Sequence, residues 1–305
     1  MNLKIMAVRA ALGLGAALSM SSAQAAISSL DLSNYQLVSS HTVAATELSG
    51  VTWNWDTGTL FAIGDEGDSI VELSNTGTIL SSMSLTNFDD TEGLTYIGNG
   101  KFVVTEERLE DAYLLTYAAT GSVSRSTLPS LSIGATVGNV GIEGISYDPL
   151  TGNFVAVKEK SPEAVYNVSL DFTNNIVSVS DLFNPASLGT LDLSDVQMLS
   201  TVSFAGSADE QNLLVLSQES KILYEVTRAG TILSQFDLSG ITPANIEGVT
   251  ITGDGTIFLV SEGATDSDPS FLYELKPTSP VPLPAAAWLL LWGLGGLGLI
   301  RKRKV

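Results

Sequence analysis

A motif that recurs five times constrains the fold of this chain more than any other feature. Each copy opens with an apolar run, usually around a glycine, and continues through further strand-like runs separated by turn-forming residues. Aligning the copies gives a single column: Gly50, Gly93, Gly144, Ser200 and Gly248. The intervals of 43, 51, 56 and 48 residues are near the length of one propeller blade. The sequence therefore predicts an all-β fold, a five-bladed β-propeller.

The two ends of the repeat region predict how the ring closes. The fifth copy supplies only three strands before the chain leaves it at Pro277. The segment from Asn34 to Val43, "NYQLVSSHTV", is strand-like and belongs to no copy. We expect this N-terminal strand to pair onto the last blade, which would close the ring and cover an edge. A spare edge strand or a flexible leader is the alternative.

Glutamates recur at two positions of the repeat. The column before the glycines holds Glu92, Glu143 and Glu247, with Ser49 and Leu199 in the other two copies. The column at the end of the second run holds Glu66, Glu107, Glu159, Glu219 and Glu262. In a blade the first strand is innermost and the second runs antiparallel to it, so both columns lie at one end of the ring. We therefore expect up to eight carboxylates at one mouth of the central channel.

Such a cluster requires neutralisation, because each like charge raises the pKa of the next. Protons, Lys158 and Lys160, or a metal could supply it, and Ca²⁺ suits an irregular cage of oxygen ligands. The alternative is structural: the glutamates would accept backbone N–H groups while glycine permits close approach of the strands. We favour metal or ligand contact for the first column and leave both interpretations open for the second.

Composition excludes several classes of function. The segments 1–25 and 278–305 hold six of the 14 Lys and Arg residues and none of the 33 Asp and Glu residues, so residues 26–277 carry a net charge of −25. Nucleic acid is therefore an improbable partner, since phosphate binding needs a basic face. The chain has no cysteine and one histidine, His41, which disfavours zinc and a Ser-His-Asp mechanism.

The N-terminal residues 1–25 follow the order of a secretory signal peptide. Lys4 and Arg9 precede an apolar run, and the small residues around Ala25 follow it. We expect cleavage after Ala25; the alternative, a membrane helix, is disfavoured because the apolar run is too short. The chain is then exported, and residues 26–277 form the propeller domain.

The C-terminal residues 278–305 combine a Pro-containing motif, an apolar helix from Ala285 to Ile300 and a basic end. They resemble the PEP-CTERM sorting signal of Gram-negative exported proteins, which an exosortase recognises and cuts. The matching motif is Val281, Pro282, Leu283 and Pro284, with Leu283 in place of the Glu of the family's namesake motif. The resemblance implies a precursor in the inner membrane and a mature protein at the cell surface, in the outer envelope or outside the cell. A permanent transmembrane anchor is the alternative.

The repeats themselves resemble the SdiA-regulated domain family over roughly residues 30–276. The resemblance rests on "SGVTWNWDTGTLFAIGDE", "FDDTEGLTYIGNGKFVVTEER", "GIEGISYDPLTGNFVAVKEKSPEAVY" and "IEGVTI" followed by "IFLVSEG". It implies a five-bladed propeller, distantly related to NHL-repeat propellers, with a calcium site in its central region. The implied ligands are Glu92, Glu143 and Glu247, and then Glu66, Glu107, Glu159 and Glu262. Leu199 in the fourth copy cannot bind a cation, which excludes a closed ring of five glutamates.

Two functions fit these features. The first is an exported, calcium-binding propeller that acts as a binding or scaffold protein, with extracellular matrix or a small molecule as its partner. The second is a calcium-dependent hydrolase of lactones, esters or phosphoesters, in which a metal-bound water is activated by a glutamate such as Glu159. The second rests on analogy between propeller folds.

Overall fold

The computed structural model describes residues 30–136, 138–201, 207–242, 244–265 and 267–278. The predicted signal peptide lies outside these ranges, and so does the sorting motif from Val281 to Pro284. Within the described ranges, no helix is long and apolar enough to cross a membrane.

The described chain consists almost entirely of short antiparallel strands. The first is β1 (Tyr35–Val43). Blade one contains β2 (Leu48–Asn54), β3 (Thr59–Gly64), β4 (Ser69–Leu73) and β5 (Ile79–Thr86). Blade two contains β6 (Thr91–Gly98), β7 (Lys101–Glu106) and β8 (Asp111–Thr116), followed by β9 (Ser122–Ser124) and β10 (Ser130–Ser132). Blade three contains β11 (Ile142–Asp148), β12 (Asn153–Lys158), β13 (Ala164–Asp171) and β14 (Ile176–Phe183).

The last two blades complete the ring. Blade four contains β15 (Asp195–Met198), β16 (Leu213–Ser217), β17 (Ile222–Val226) and β18 (Ile232–Asp237). Blade five contains β19 (Ile246–Ile251), β20 (Ile257–Ser261) and β21 (Ser270–Pro277). Short 3-10 helices lie at Leu32–Asn34, Arg125–Thr127, Pro185–Ser187, Leu199–Thr201 and Ala208–Gln211.

The sheet order confirms five blades and the predicted closure. Strand β1 pairs antiparallel with β21, from Tyr35 opposite Pro277 to Val43 opposite Ser270, and completes a sheet of order β1-β21-β20-β19. One blade therefore contains both ends of the propeller, so the ring cannot open without breaking this pairing. His41, on β1, lies opposite Leu272 and contacts Ser39 Oγ at 3.1 Å, as expected for an ordinary strand residue.

Blade one has a fifth strand, which the sequence did not indicate. The connection from β8 to β10 crosses to the neighbouring blade and adds β9 parallel to β5, with Val123 opposite Leu85. Arg125 then turns inward and pairs with the buried Glu106 at 2.5 Å. The connection thus covers the outer edge of blade one and joins it to blade two.

The hydrophobic core is divided among the five blade interfaces. The largest fully buried side chains include Phe61 of blade one, with Tyr96 and Phe102 of blade two. Phe61 and Phe102 pack with ring centroids 4.7 Å apart. Comparable clusters lie between each other pair of neighbouring blades. Because every interface is apolar, the blades hold one another and leave polar residues for the two ends of the channel.

A ring of side-chain hydrogen bonds, which we call the hydroxyl belt, joins the inner strands. Four members lie two residues after the glycines of the column: Thr52, Thr95, Ser146 and Thr250; in blade four the member is Gln197. Thr95 Oγ1, for example, accepts the Tyr147 N–H of the next blade at 3.0 Å. Equivalent bonds reach the N–H groups of Tyr96, Met198 and Trp53. In blade four, Gln197 Oε1 instead accepts the Thr250 hydroxyl at 2.9 Å. The belt satisfies buried backbone donors next to the axis.

The hydroxyl belt corrects the predicted alignment of blade four. The alignment placed Leu199 and Ser200 in the two inner columns, but these residues form a 3-10 helix beyond the inner strand. The residues of blade four that match the two inner columns are Ser194 and Asp195. Gly144 lies against Asp195 in the same way that Gly50 lies against the inner strand of blade two. The sequence "SDVQM" has no glycine, so an alignment on glycine shifted by five residues. Ser194 cannot supply a carboxylate either, so the exclusion of a five-glutamate ring still holds.

Candidate functional site: a carboxylate mouth

The carboxylates gather at the end of the ring where β2, β6, β11, β15 and β19 begin; we call this end the carboxylate mouth. Glu92, Glu143 and Glu247 each precede a glycine at the closest inter-strand contacts, where glycine is required. A Cβ on Gly50 would lie 2.4 Å from Glu92 O, and one on Gly248 would lie 2.6 Å from Ser49 O. Close approach of the inner strands thus brings the first column together, as the sequence predicted.

The second column needs two corrections. In four blades, one backbone N–H group just after the second strand donates to the carbonyl group of the residue three positions before the column glycine. The donating residues are Asp65, Glu107, Glu159 and Glu262. Asp65 therefore occupies the register predicted for Glu66, which lies one residue further on and is exposed. In blade four the same register falls on Gln218, two residues after Leu216, the partner of Asp195. The second column is therefore acidic in four blades. Two of the predicted glutamates, Glu66 and Glu219, each lie one residue beyond it.

Among the residues that the structure describes, four groups of three carboxylates at the mouth approach closely enough to hold a cation, with their ligand atoms within 4.8 Å of one another. We call two of them the first and second triads: Asp90, Glu92 and Glu107 form the first, and Glu107, Glu143 and Glu159 form the second. The other two groups are Glu47, Asp65 and Glu66, and Glu159, Asp192 and Glu219. Glu107 therefore belongs to both triads, at the boundary of blades two and three.

Sequence reasoning missed three acidic residues of these groups. Glu47, Asp90 and Asp192 all lie three residues before the glycine column, once blade four is aligned on Asp195. In "FDDTEG" Asp90 lies two residues before Glu92, and in blade four Asp192 holds the same position relative to Ser194. Asp192 accepts the Ser217 hydroxyl at 2.5 Å and the Glu219 N–H at 3.1 Å, so it also organises the loop after β16.

Glu262 and Glu247 lie at the blade-five side of the mouth. Glu262 accepts a hydrogen bond from the Asn245 side chain at 3.2 Å. It is also the first of the charged neighbours that raise the pKa of Glu247. Among the described residues, neither belongs to one of the four groups. The structure therefore brings five of the seven predicted ligands into such groups and leaves these two beside them.

Glu107 has a structural bond as well as its place in both triads. Its side chain is buried, and Oε1 accepts the Gly141 N–H at 2.8 Å. The neighbouring Arg108 donates to the Asn139 side chain at 3.1 Å. The structural interpretation of the second column is thus correct for one oxygen of Glu107, and the bond fixes the carboxylate against the next blade.

Few cations reach the mouth. Arg108 Nε lies 2.9 Å from Asp90 Oδ2, and Lys160 Nζ lies 2.7 Å from Glu159 and 2.6 Å from Glu219. Lys158 was expected to help neutralise Glu159, but its ammonium group bonds to the carbonyls of Val140 and Lys160. Lys160 therefore pairs with the blade three–four side of the mouth, whereas Glu92, Glu107 and Glu143 have no ion pair within 4.0 Å among the described residues.

Burial and mutual repulsion disfavour ionisation of the first column. Burial raises the pKa of Glu92 well above its ordinary value, and the charge of Glu247 raises it further. Burial likewise raises the pKa of Glu143, with Glu92 as the next cause, and that of Glu247. All three side chains are only partly exposed. Without a counter-ion, these carboxylates hold protons at pH values where ordinary glutamates do not.

The pKa values of two aspartates, Asp90 and Asp65, are raised for the same reason. Burial raises the pKa of Asp90 to about 7, with Glu107 adding to the shift and Arg108 opposing it. Burial raises the pKa of Asp65 to about 6, and the nearby carboxylate of Glu262 adds to it. Asp90 is 5% exposed, and its Oδ2 makes no hydrogen bond, although Arg108 lies beside it. Asp65 Oδ1 is similarly buried without a hydrogen-bond partner.

The residues of the two triads fit a hard divalent cation. All the donors are carboxylate oxygens, which Ca²⁺ prefers, and the spread of each triad suits distances of about 2.3–2.6 Å from each oxygen to one ion. A bound divalent cation would supply the positive charge that Arg108 and Lys160 do not.

Comparisons with known proteins agree with the fold. The solved structure of Myxococcus xanthus glutaminyl cyclase is similar with a TM-score of 0.53 and 12% identity, over 79% of this chain and 95% of that chain. A luciferin-regenerating enzyme gives a TM-score of 0.47 and 12% identity, over 81% of this chain and 99% of that one. At 12% identity the likeness to the glutaminyl cyclase structure concerns the fold alone. The sequence profile of the SdiA-regulated family matches residues 28–275, and the chain belongs to that family.

Proposed function

We propose that this protein is an exported, calcium-binding β-propeller that acts as a binding or scaffold protein. The observation that carries the proposal is the pair of carboxylate triads that share Glu107. Glu92, Glu107 and Glu143 would supply the central ligands, with Asp90 and Glu159 at the two sides. Calcium would hold blades two and three together at the mouth and leave the rest of the acidic rim open to a partner.

Calcium accounts for the charge of the mouth better than protons or lysines do. Lys160 already pairs with Glu159 and Glu219, and Lys158 is committed to backbone carbonyls. Neutralisation by protons alone would require several neighbouring carboxylates to stay protonated near neutral pH, where glutamates are ordinarily ionised. A divalent ion neutralises two charges and bonds to oxygens of different blades. We therefore assign calcium to stabilisation of the ring as well as to binding.

Export and surface location are proposed from the two ends of the sequence. The signal peptide at 1–25 directs export, and the Val281-Pro282-Leu283-Pro284 motif directs processing by an exosortase of a Gram-negative bacterium. Extracellular calcium would then reach the mouth without a transport step. A partner of this surface is a matrix component or a small molecule able to approach an acidic rim; nucleic acid is disfavoured by the charge of the domain.

The test is thermal unfolding of the purified chain in calcium and in a chelator. Calcium binding only to the folded state raises Tm, with a stabilisation of about 2.7 kcal/mol when free calcium is 100-fold above Kd. We expect Glu92→Gln to abolish most of the shift. Asp181→Asn is the control, because Asp181 is exposed on β14 and belongs to none of the four carboxylate groups. Equal Tm in calcium and chelator, with no metal found by elemental analysis, would remove the basis of the proposal.

Hydrolysis is the competing function, and the arrangement around Glu159 favours binding. Glu159, the glutamate considered as a general base, accepts from Lys160 at 2.7 Å, and Lys160 also holds Glu219. Lys160 therefore engages the carboxylate that a general base would present to a metal-bound water. Turnover of a lactone, ester or phosphoester panel that depends on calcium and disappears in Glu159→Gln would reverse this preference.

A further inference from the structure

The end of the ring opposite the carboxylate mouth, which we call the far end, has a different surface. The inner strands β2, β6, β11, β15 and β19 finish there, so the second and fourth strands of each antiparallel blade begin there. Of the nine large apolar side chains that are exposed among the described residues, eight lie toward this end. The exception, Leu191, lies near the mouth, where its N–H donates to Ser220 Oγ at 2.9 Å. Exposed apolar surface and carboxylates therefore occupy opposite ends of the molecule.

Blades three and four contribute most of this apolar surface. Ile176 and Val177 are the first two residues of β14, and Ile232 and Leu233 are the first two of β18. Both strands run from the far end to the mouth, so these residues lie at the far end. Leu150 lies in the turn between β11 and β12, at the same end. Ile176, Leu150 and Leu233 are 59%, 54% and 50% exposed, so blades three and four both present apolar side chains to solvent.

Blades one and five extend the apolar surface around the ring. Leu80, the second residue of β5, is 52% exposed, and Leu37 and Val38 lie in the first half of β1. Blade two has no exposed large apolar residue in its described part and presents the exposed Lys101 at the start of β7 instead. We call the eight apolar residues of blades one, three, four and five the far rim. Single exposed apolar residues are normal, but eight gathered at one end of a ring mark an interaction surface.

The described chain also enters and leaves the ring at the far end. Strand β1 begins at Tyr35, opposite Pro277 at the end of β21, and the Thr278 N–H donates to the Asn34 carbonyl at 2.6 Å. Only six residues, 279–284, separate Thr278 from the apolar run at 285–300. Six residues span at most about 22 Å, less than the rise of about 26 Å along the eight residues of β21. The linker is therefore too short to carry the apolar run past the mouth.

We propose that the far rim contacts the surface of a lipid bilayer that holds the apolar run at 285–300, and that the carboxylate mouth faces away from it. The proposal rests on the proposed function for export and for the C-terminal segment, and it adds the orientation of the ring. Apolar side chains gain free energy on leaving water for the bilayer surface, and Lys101 suits anionic headgroups. The reverse orientation would bring the unbalanced carboxylates against those headgroups. Calcium and a partner then have access to the mouth while the chain is held at the membrane.

The test measures which end of the ring lies near lipid. The purified chain is reconstituted in vesicles of phosphatidylethanolamine and phosphatidylglycerol that contain nitroxide-labelled lipid. Because the chain has no cysteine, one introduced cysteine can be labelled with a fluorophore. Thr78→Cys and Thr86→Cys are a matched pair, since both threonines are exposed and flank β5 at its far end and at its mouth end. We expect lipid nitroxides to quench most of the fluorescence at residue 78 and little at residue 86.

A second comparison tests the far rim itself. Leu80→Ser, Leu150→Ser and Leu233→Ser together remove apolar surface from three blades, and each side chain is at least half exposed, so the core is retained. The triple variant should lose the excess quenching at residue 78, because the ring is then held by its linker alone. Leu191→Ser is the control, an exposed leucine at the mouth, and should leave the quenching unchanged. Equal Tm for the variants and the unaltered chain checks the fold.

The outcomes separate this proposal from calcium binding. Equal quenching at residues 78 and 86, stronger quenching at residue 86, or a chain that does not bind vesicles would overturn the orientation. Two unquenched labels, with a dimer in detergent that the triple leucine variant abolishes, would assign the far rim to a second copy and also overturn it. Bound calcium is measured on the same chain in detergent by elemental analysis, so its presence or absence is decided independently of the quenching.

Discussion

The hydroxyl belt and the carboxylate mouth lie on the same inner strands, yet their chemistry differs. Thr95 and Glu92 are three residues apart, but Thr95 is buried and bonded to the next blade, whereas Glu92 faces a channel lined by like charges. The belt uses neutral groups whose hydrogen bonds are satisfied within the protein. The mouth concentrates charges that the protein itself does not balance. We infer that the belt stabilises the ring, whereas the unbalanced charges of the mouth lower stability in a way that fits the proposed binding role.

The largest effect is expected from adding a side-chain atom where two inner strands are in close contact, because the belt and the mouth both depend on that contact. A Cβ on Gly144 would lie 2.4 Å from Asp195 Oδ1 and 2.6 Å from its Cα. Because backbone must move, we expect Gly144→Ala to destabilise the fold by about 3 kcal/mol. Gly240→Ala is the control, since a Cβ on Gly240 would meet no heavy atom within 4 Å. Urea unfolding measures both, and equal stabilities would show that the strands can separate freely.

That prediction depends on a residue that sequence reasoning misplaced. Five blades, the closing strand and the shared mouth followed from repeat length and strand direction, because antiparallel geometry fixes which strand ends meet. Blade four could not be aligned, since Asp195 replaces glycine and its carboxylate accepts the Val249 N–H at 2.7 Å. Asp195 keeps the contact between inner strands that glycine makes in the other blades, but a different residue type at that position hides the repeat in the sequence.

The site was only partly accessible to sequence reasoning for a similar reason. Glu92, Glu107, Glu143 and Glu159 were expected at one mouth, and they do meet there. The contribution of Asp90 is not visible in the sequence, because it depends on burial next to Glu92 and Glu107, which only three-dimensional packing determines. The role of Lys158 was also not predictable, since backbone carbonyls compete with Glu159 for its ammonium group.

A second prediction separates the mouth from the belt by pH. Burial raises the pKa of Asp65 to about 6 and that of Asp90 to about 7, above the ordinary value of 3.8. From pH ~4 to ~7 the folded chain then holds more protons than the unfolded chain, so stability in chelator falls as pH rises. We expect a loss on the order of 2 kcal/mol across this window.

Calcium should reverse that trend, because it replaces the protons and binds more tightly as pH rises. The measurement is chemical unfolding at several pH values between about 4.5 and 7.5, in chelator and in calcium. The hydroxyl belt contains no group that titrates here and should contribute equally at each pH. Stability in chelator that increased steadily with pH would contradict the assignment of raised pKa values to the mouth.

A third prediction tests the belt alone. Thr95→Val keeps the shape of the side chain but leaves the Tyr147 N–H without its acceptor. The expected cost is about 1–2 kcal/mol, with little change in calcium binding. Thr116→Val is the matched control, because Thr116 is exposed on strand β8. A loss of calcium affinity in Thr95→Val as large as the loss of stability would show that belt and mouth are not separable.

The smallest effect has the opposite sign and sharpens the comparison most. Glu143→Gln removes a buried carboxylate whose ionisation is disfavoured by burial and by Glu92. In chelator near pH ~7.5 we expect the variant to be more stable than the unaltered chain by about 1 kcal/mol, because no charge has to be buried. In calcium it should be the less stable of the two, since a ligand is lost. Glu219→Gln, exposed and paired with Lys160, should differ by less than about 0.5 kcal/mol in chelator. Unfolding curves in both solutions decide the matter: a Glu143→Gln chain that is less stable in chelator as well would mean that Glu143 stabilises the ring as the hydroxyl belt does.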